Sequence, residues 1–435
     1  MAEGTNGSVG RGSARSMHVA FFNRSYYPDT TATGQLLTEL CEGLVRDHGC
    51  RVTVVAGLPL LPSAAAGVAT PSRAIVRREQ HNNVAILRAR GTRFPKTRFV
   101  GRAANYVTYF LSACVAGLRV GRPDVVVALT DPPIIGLAAL LAARCFRVPF
   151  VMSFRDIFPE VARLLEDFQS EAVNRWLHRV TCFLARKADI NVSLGKTMRR
   201  RLIEGKGADP GRTVIIPDWA DCRAIAPAER DNPFSRDAGL SGRFVVMHSG
   251  NIGLSQGLEY LVHAAAKLRG YPDIRIVFVG EGAKKAVLVR QAEELRLSNV
   301  AFLPFTPQER LRESFAAADV FVVSLKKSLA GYIVPSKLYG ILAAGRPYVA
   351  AVEAESEVAE ISQRYNCGIV VPPEDSEALA GGILRVYRDR ELARKMGENA
   401  RRAALEFDRA THVRNYFELF ERLTRERYGA PAREQ

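Results

Sequence analysis

Short apolar runs alternate with stretches of helical spacing along most of this chain, in two successive series. The strand candidates of the first series are residues 17–27, 51–57, 84–90, 124–129, 149–154, 189–193 and 213–218. Apolar runs of this length, without alternating polar residues, are typical of strands buried on both faces of a parallel sheet. Because helical stretches lie between most of them, the first series predicts a doubly wound α/β domain.

The second series follows a segment marked by Pro and Asp at 216–233, and the chain, at 435 residues, is too long for one ordinary core. Its strand candidates are residues 243–250, 274–282, 299–305, 319–325, 346–352 and 367–373. We predict two Rossmann-like domains facing a deep cleft, where the carboxyl ends of both sets of strands form ligand sites. The predicted domains are 17–216 and 234–408, with a linker at 217–233 and a helix at 409–429 that packs back on the first domain.

The sequence has no mark of export and no segment suited to cross a membrane. Residues 1–16 are polar and glycine-rich, which is typical of a disordered tail and not of a signal peptide. The longest apolar runs, 103–120 and 134–152, are interrupted by arginines. The seven cysteines are scattered without a C-x-x-C pair, which disfavours a disulfide framework or a structural zinc site. We expect a cytoplasmic protein that is at most attached to a membrane face.

The net charge of +16 is distributed unevenly, since residues 1–215 alone carry +14. A cationic half predicts an anionic partner, such as a membrane surface, a phosphorylated substrate or nucleic acid, unless it is simply a solvated basic surface. Four basic residues precede the apolar stretch 103–118, which contains three aromatic residues. This combination suits an anionic bilayer, although the same helix could instead pack on the sheet. The basic residues are Arg93, Lys96, Arg98 and Arg102.

Two glycine-rich loops follow strands of the second series. Gly250, Gly253 and Gly257 lie between a strand and a helix, where peptide N–H groups and the positive helix end suit a phosphate. The alternative is an ordinary strand–helix turn. Gly280 and Gly282 flank a glutamate in the next loop, so a ligand could approach the backbone while the carboxylate accepts from a ribose hydroxyl.

Further candidates follow other strands. Lys326 and Lys337 bracket a flexible turn, and Lys337 lies where a helix begins, a position that is favourable for a lysine if an anion binds there. In the first domain, Gly34 lies in a small-residue loop predicted to face the phosphate loop. Arg155 and Asp156 follow a strand, so we expect them at the edge of the cleft together with Glu160.

Together these segments resemble the retaining glycosyltransferase family 4, which has the GT-B fold. The resemblance runs from Met17 to about residue 425 and is closest to the branch that builds bacterial surface polysaccharides such as O-antigen, capsule and colanic acid. The matching pieces are Tyr26-Tyr27-Pro28 with Gly34, Thr130-Asp131-Pro132-Pro133, Arg155-Asp156-Ile157-Phe158-Pro159-Glu160, His248-Ser249-Gly250-Asn251-Ile252-Gly253, Gly280-Glu281-Gly282, and Pro335-Ser336-Lys337-Leu338-Tyr339-Gly340 with Ala344-Gly345-Arg346-Pro347.

The chain also departs from the family pattern. Asn251 and Gln256 stand where many members carry an Arg and a Lys in the phosphate loop. Tyr332 and Gly340 stand where many members carry two glutamates. We therefore expect main-chain amides to hold the diphosphate together with a lysine that replaces the missing cations, either Lys337, Lys326 or Lys327.

The resemblance implies roles for four sets of residues. It implies a catalytic set of Asp156, Arg155, Glu160 and Lys337. It implies a donor set of Gly34, Gly250, Asn251, Gly253, Gln256, Lys326, Ser336, Lys337 and Tyr339. It implies a nucleoside set of Gly280, Glu281, Gly282, Leu303 and Phe305. It implies no bound metal and no other cofactor.

The activity implied by the resemblance is transfer of a sugar, such as an N-acetylated or deoxy hexose, from a UDP-linked donor to a polyprenyl-diphosphate-linked saccharide. One alternative on the same scaffold is a nucleotide-sugar 2-epimerase, which would release free epimerised sugar without an acceptor. Another is a basic nucleic-acid-binding protein, but no module of that class is present in the sequence. We expect no nucleic-acid partner.

Overall fold

The computed structural model of the chain describes residues 16–29, 31–59, 74–92, 94, 99–165 and 170–428. Of the sequence predictions, the tail up to residue 15, the basic residues Arg93, Lys96 and Arg98, and residue 429 lie outside the described residues. Within those residues, no helix is both long enough and apolar enough to span a bilayer.

The first domain is built on an eight-stranded sheet with the order β3-β4-β2-β1-β5-β6-β7-β8. Its central strands are buried along their whole length, as their continuous apolar sequences predict. The strands are β1 His18–Phe22, β2 Arg51–Ala56, β3 Val76–His81, β4 Val84–Ala89, β5 Val125–Ala128, β6 Phe150–Ser153, β7 Ile190–Ser193 and β8 Thr213–Ile215.

One strand of this sheet was not among the predicted strands and runs against the others. β3 pairs with β4 in the antiparallel direction. The two strands are joined by Asn82 and Asn83, which both have positive φ, the backbone of a tight two-residue hairpin. The sequence VRREQH of β3 is charged and only partly buried, so it carries no apolar signal. The remaining pairs of this sheet are parallel.

Helices cover both faces of the first sheet. The first of these helices ends at Gly49, which has φ +63 and whose N–H donates to carbonyls of the preceding turn. The helices are α1 Ala32–His48, α2 Phe99–Gly117, α3 Ile135–Phe146, α4 Glu160–Leu164, α5 Glu171–Lys187 and α6 Lys196–Lys206.

The second domain has a six-stranded sheet with the order β11-β10-β9-β12-β13-β14, and all of its pairs are parallel. Two doubly wound α/β domains are therefore confirmed. The strands are β9 Phe244–Ser249, β10 Ile274–Val279, β11 Val300–Leu303, β12 Val320–Ser324, β13 Tyr348–Ala351 and β14 Gly368–Val371. The helices of this domain are α7 Pro233–Asp237, α8 Glu259–Lys267, α9 Lys285–Glu294, α10 Leu311–Ala316, α11 Lys337–Ala343, α12 Glu357–Tyr365, α13 Ser376–Arg388 and α14 Arg390–Ala404. The last helix, α15 Arg409–Tyr428, follows this domain in the chain.

The chain crosses between the domains twice, and the two crossings are bonded to each other. Ala220 forms a parallel bridge with Asp408, and its N–H donates to the carbonyl of Phe407 at 3.2 Å. After the second crossing, α15 shares a core with the first domain, where the rings of Phe420 and Phe21 lie 6.1 Å apart.

A second interdomain contact joins α6 to the start of α12. The Glu357 carboxylate accepts from the N–H of Met198 at 2.8 Å, so a side chain of the second domain caps a helix of the first. Gly195 makes this possible, because a Cβ there would lie 2.1 Å from Glu357 Cγ. Arg200 and Arg201 both pair with Glu355 beside this cap.

Candidate active site

The loops after β6 and β12 bring the carboxyl ends of the two sheets into direct contact. Asp156 forms an antiparallel bridge with Ile333, and the N–H of Ile157 donates to the carbonyl of Tyr332 at 3.0 Å. Burial raises the pKa of Asp156 to about 6, with like-charged Asp131 adding to the effect. A carboxyl group that titrates near neutral pH in a cleft is suited to accept a proton.

The two glycine loops of the second domain interlock. The N–H of Ile252 donates to the carbonyl of Glu281 at 2.8 Å. A Cβ on Gly280 would lie 2.0 Å from the carbonyl oxygen of Gly250, and one on Gly282 would lie 2.3 Å from that of Ile252. Gly280 and Gly282 also have φ values of +145 and +156. Because no side chain fits at these positions, the backbone itself forms this surface.

Lys337 lies against the first of these loops. Its Nζ is 3.0 Å from Nε2 of His248 and 3.7 Å from the point that a Cβ on Gly250 would occupy. Burial lowers the pKa of Lys337 to about 7, and burial together with the facing lysine holds the pKa of His248 well below its usual value. A neutral His248 therefore accepts from Lys337, and an anion in the loop would stabilise the ammonium form.

Other predicted donor residues surround the same loop. The Gln256 side chain accepts from the N–H of Gly253 at 2.9 Å and so closes the turn. The backbone of Lys326 donates to Ser255 at 2.8 Å, and its Cγ lies 3.4 Å from the point that a Cβ on Gly257 would occupy. The structure therefore brings the phosphate-loop residues and two lysines together. Asn251 lies over Gly282, and the half-buried Ser336 precedes Lys337.

The residues predicted to bind a nucleoside lie together at the outer edge of the second loop. The N–H of Gly280 donates to the carbonyl of Leu303 at 2.9 Å, and the Phe305 ring approaches the Cβ position of Gly280 to 3.4 Å. Phe305 is 48% exposed, so its ring offers a face for stacking beside the backbone loop. Glu281 is exposed and pairs with Lys285 at 2.6 Å.

Three predicted site residues have different surroundings from those expected. Arg155 does not line the cleft, because its guanidinium is buried in an ion pair with Asp218 of the linker. Glu160 binds the buried Nζ of Lys206 at 2.7 Å. Tyr339 is in the core of the second domain, 5.2 Å from the ring of Phe407, and is not exposed to a donor. Each of these partners is far away in the sequence, so local pattern gave no sign of it.

The structure adds charged residues that the sequence analysis did not assign to the site. Arg24 follows β1 and pairs with Asp131, which follows the neighbouring β5, at 3.1 Å between Nε and Oδ1. The sequence did contain a sign of this pair, because both residues follow buried strands and Asp131 lies in a segment matched by the family resemblance. Gly34 lies beside this group, with its Cβ position 3.5 Å from the backbone of Ser25.

Two family models cover most of the chain. Residues 31–219 match the model described as a glycosyl transferase 4-like domain, and residues 232–403 match the model described as glycosyl transferases group 1. The chain belongs to these glycosyltransferases.

Two proteins similar in sequence to this glycosyltransferase are also named as glycosyltransferases. WbjE of Pseudomonas aeruginosa, named as a glycosyltransferase, is 29% identical over 288 residues, which cover 66% of this chain and 72% of that protein. WcaI of Escherichia coli K12, named as a glycosyl transferase of colanic acid biosynthesis, is 32% identical over 216 residues, or 48% of this chain and 53% of WcaI. The match to WcaI thus spans about half the length of that relative.

Solved structures share the fold of this glycosyltransferase. Anabaena HepE in complex with UDP superposes with a TM-score of 0.70 at 19% identity, covering 93% of this chain and 100% of HepE. WaaG, a glycosyltransferase of lipopolysaccharide biosynthesis, superposes with a TM-score of 0.69 at 16% identity, covering 92% and 99%. At these identities the likeness establishes the GT-B fold alone. Among the described residues, no three or more Asp, Glu, His or Cys side chains are grouped to hold a metal ion.

Proposed function

We propose that this glycosyltransferase moves a sugar, with retention of anomeric configuration, from a UDP-linked donor to a polyprenyl-diphosphate-linked saccharide during synthesis of a cell-surface polysaccharide. The observation that carries the proposal is the position of Lys337 beside the interlocked glycine loops, with the exposed Phe305 ring at their edge. This is the arrangement that a nucleoside diphosphate needs: an amine and open backbone for the phosphates, and a flat surface for the base. HepE, which has the same fold, was solved with UDP and with UDP-glucose.

The chemistry of transfer assigns a role to each part of the cleft. Negative charge develops on the departing diphosphate, and Lys337 with the N–H groups around Gly250 and Gly253 would stabilise it. Positive charge develops on the sugar ring, while Asp156 orients or deprotonates the acceptor hydroxyl from the other domain. The donor sugar is proposed to be an N-acetylated or deoxy hexose, and no residue is assigned as a covalent nucleophile.

The acceptor is proposed to reach the enzyme from the cytoplasmic face of a bilayer. Val107, Leu111, Val115 and Leu118 recur at helical spacing along α2 and its end, and all four are exposed. Residues 80–123 contain eight Arg and Lys but no Asp or Glu. A cationic stretch of sequence that includes an exposed apolar stripe fits peripheral contact with anionic lipids.

Liposome flotation tests the bilayer contact. Leu111→Ser should reduce binding to anionic liposomes at low salt, whereas Leu405→Ser should not, although both leucines are 57% exposed. Equal binding by the two variants, or no binding by the wild type, would reject this surface.

Thermal shift with UDP, GDP and dTDP tests the donor. A ligand that binds only the folded state raises the melting temperature by mass action, and we expect UDP to give the largest shift. UDP release that requires a lipid-linked acceptor would then support transfer. Free epimerised sugar formed without acceptor would instead identify a 2-epimerase.

A further inference from the structure

A small polar cluster lies at the carboxyl edge of the first sheet, outside the proposed donor site. Arg24 follows β1 and Asp131 follows β5, the next strand in the sheet. Nε of Arg24 donates to Oδ1 of Asp131 at 3.1 Å, and its backbone N–H donates to the Asp131 carbonyl at 2.7 Å. Ser25 Oγ donates to the other carboxylate oxygen at 2.6 Å. Both oxygens of Asp131 are therefore occupied, and the Nε edge of Arg24 is held in one orientation.

Among the described residues, the two terminal nitrogens of Arg24 have no hydrogen-bond acceptor within reach. The Arg24 side chain is 20% exposed, and its guanidinium carbon lies 5.9 Å from the centre of the Tyr106 ring. A fixed guanidinium with two open terminal NH2 groups is the fork that binds phosphate oxygens in a bidentate manner.

The neighbouring backbone leaves space for this side chain. Gly57 follows β2, and its N–H donates to the Arg24 carbonyl at 2.8 Å. A Cβ on Gly57 would lie 2.8 Å from Arg24 Cγ. Any larger residue at position 57 would displace the arginine stem. The fold thus keeps Arg24 in its position from three directions: Asp131, the Tyr106 ring and Gly57.

The location of Arg24 suggests which phosphate it would meet. Asp156, which follows β6, lies on the same sheet edge, one strand beyond Asp131. Tyr106 belongs to α2 and immediately precedes Val107, the first residue of the exposed apolar stripe. Arg24 therefore lies between the proposed proton acceptor and the helix with the apolar surface. A ligand with a sugar, a phosphate and an apolar chain would contact these three regions in that order.

We propose that Arg24 binds the diphosphate of the isoprenoid-linked acceptor, with the chain leaving along α2. The proposal rests on the proposed function, since it assumes a lipid-linked acceptor. The net positive charge of residues 80–123 supplies attraction that the Arg24–Asp131 pair alone would not provide. Asp131 and Ser25 act as positioning residues, because they hold the arginine and do not contact the ligand.

The test compares matched arginine variants on neutral vesicles. Wild type, Arg24→Gln and Arg175→Gln are titrated with phosphatidylcholine vesicles that contain polyprenyl diphosphate, and with vesicles that contain polyprenol instead. Arg175 is an exposed residue of α5 in the same domain and serves as the charge control. Loss of a charge-assisted contact predicts a Kd about 10- to 100-fold higher for Arg24→Gln on diphosphate vesicles and no change for Arg175→Gln.

Three results would overturn the proposal. They are wild-type affinity of Arg24→Gln for diphosphate vesicles, an equal loss in Arg175→Gln, and equal binding of wild type to polyprenol vesicles. If Arg24→Gln does not fold, Arg24→Lys and competition of the wild type by inorganic pyrophosphate replace it. Arg24→Lys must retain part of the affinity, and pyrophosphate must displace the diphosphate vesicles.

Kinetics separates this proposal from the proposed function itself. Arg24→Gln should raise KM for the lipid-linked acceptor and leave KM for the UDP-linked sugar and the UDP-induced thermal shift unchanged. A purely structural ion pair would change stability and both KM values together. If the wild type shows no UDP-induced shift at all, the proposed donor fails, whereas vesicle binding still reports on Arg24.

Discussion

The two sides of the cleft use different parts of the polypeptide. The second domain presents backbone: interlocked loops around Gly250 and Gly280 that no side chain could enter, with one amine from Lys337. The first domain presents charged side chains, Arg24, Asp131 and Asp156, at the ends of adjacent strands. A surface made of backbone N–H groups does not depend on side-chain identity, whereas charged side chains can be replaced one at a time by mutation. Under the proposed function, this difference would allow the acceptor to change without loss of the donor surface.

Removal of the amine should have the largest effect on the donor side. Lys337→Ala is expected to lower turnover about 1,000-fold, because it removes the ammonium group proposed to stabilise the developing diphosphate charge. Steady-state turnover is the measurement. Lys267→Ala is the matched control, because Lys267 is the last residue of α8, the helix that follows the Gly250 loop. Near-normal turnover of Lys337→Ala would mean that the backbone alone suffices.

On the acceptor side, Asp156→Asn should lower turnover about 100-fold, the usual size of a general-base contribution. The pKa of Asp156 is raised to about 6, so the wild-type rate should increase as the pH rises through that value and the carboxylate forms. The variant should lack this limb of the pH profile. A wild-type profile that is flat between pH 5 and about 7 would exclude Asp156 as the proton acceptor.

The backbone surface itself can be tested by adding one methyl group. Gly280→Ala should reduce the free energy of unfolding by about 2–3 kcal/mol, because its Cβ meets the Gly250 carbonyl at 2.0 Å and its φ is +145. Gly381→Ala is the control, since a Cβ there meets no heavy atom within 4 Å and the site is inside α13. The control should be neutral or stabilising. Equal melting temperatures for the two variants would contradict the interlocked loops.

The smallest expected effect is the uptake of protons when UDP binds. The pKa of Lys337 is lowered to about 7, and a bound diphosphate should raise it again. UDP binding at pH 8 should therefore take up as much as about one proton, and UDP affinity should fall up to about tenfold for each pH unit above 7. Calorimetry in buffers of different ionisation enthalpy measures the uptake. Lys337→Ala should show no proton uptake on binding UDP. Proton release by the wild type would contradict the proposed binding of the diphosphate by Lys337.

The sequence was most informative where the signal is local. Buried parallel strands and the glycine loops are read from short windows, because apolar runs and glycine positions are encoded by neighbouring residues. The sequence did not predict side-chain contacts between segments that are distant in the chain. Nothing near Arg155 indicates Asp218, and nothing near Tyr339 indicates Phe407. The edge strand β3 was missed because its sequence is charged.

The bridge between Ala220 and Asp408 has a mechanical consequence. Since the two interdomain crossings are hydrogen-bonded side by side, we expect the two domains to rotate about this pair of segments and not to slide along it. Release of a spent nucleotide would then require only a rotation, which breaks the contacts farthest from that axis and leaves the interlocked loops intact for the next donor.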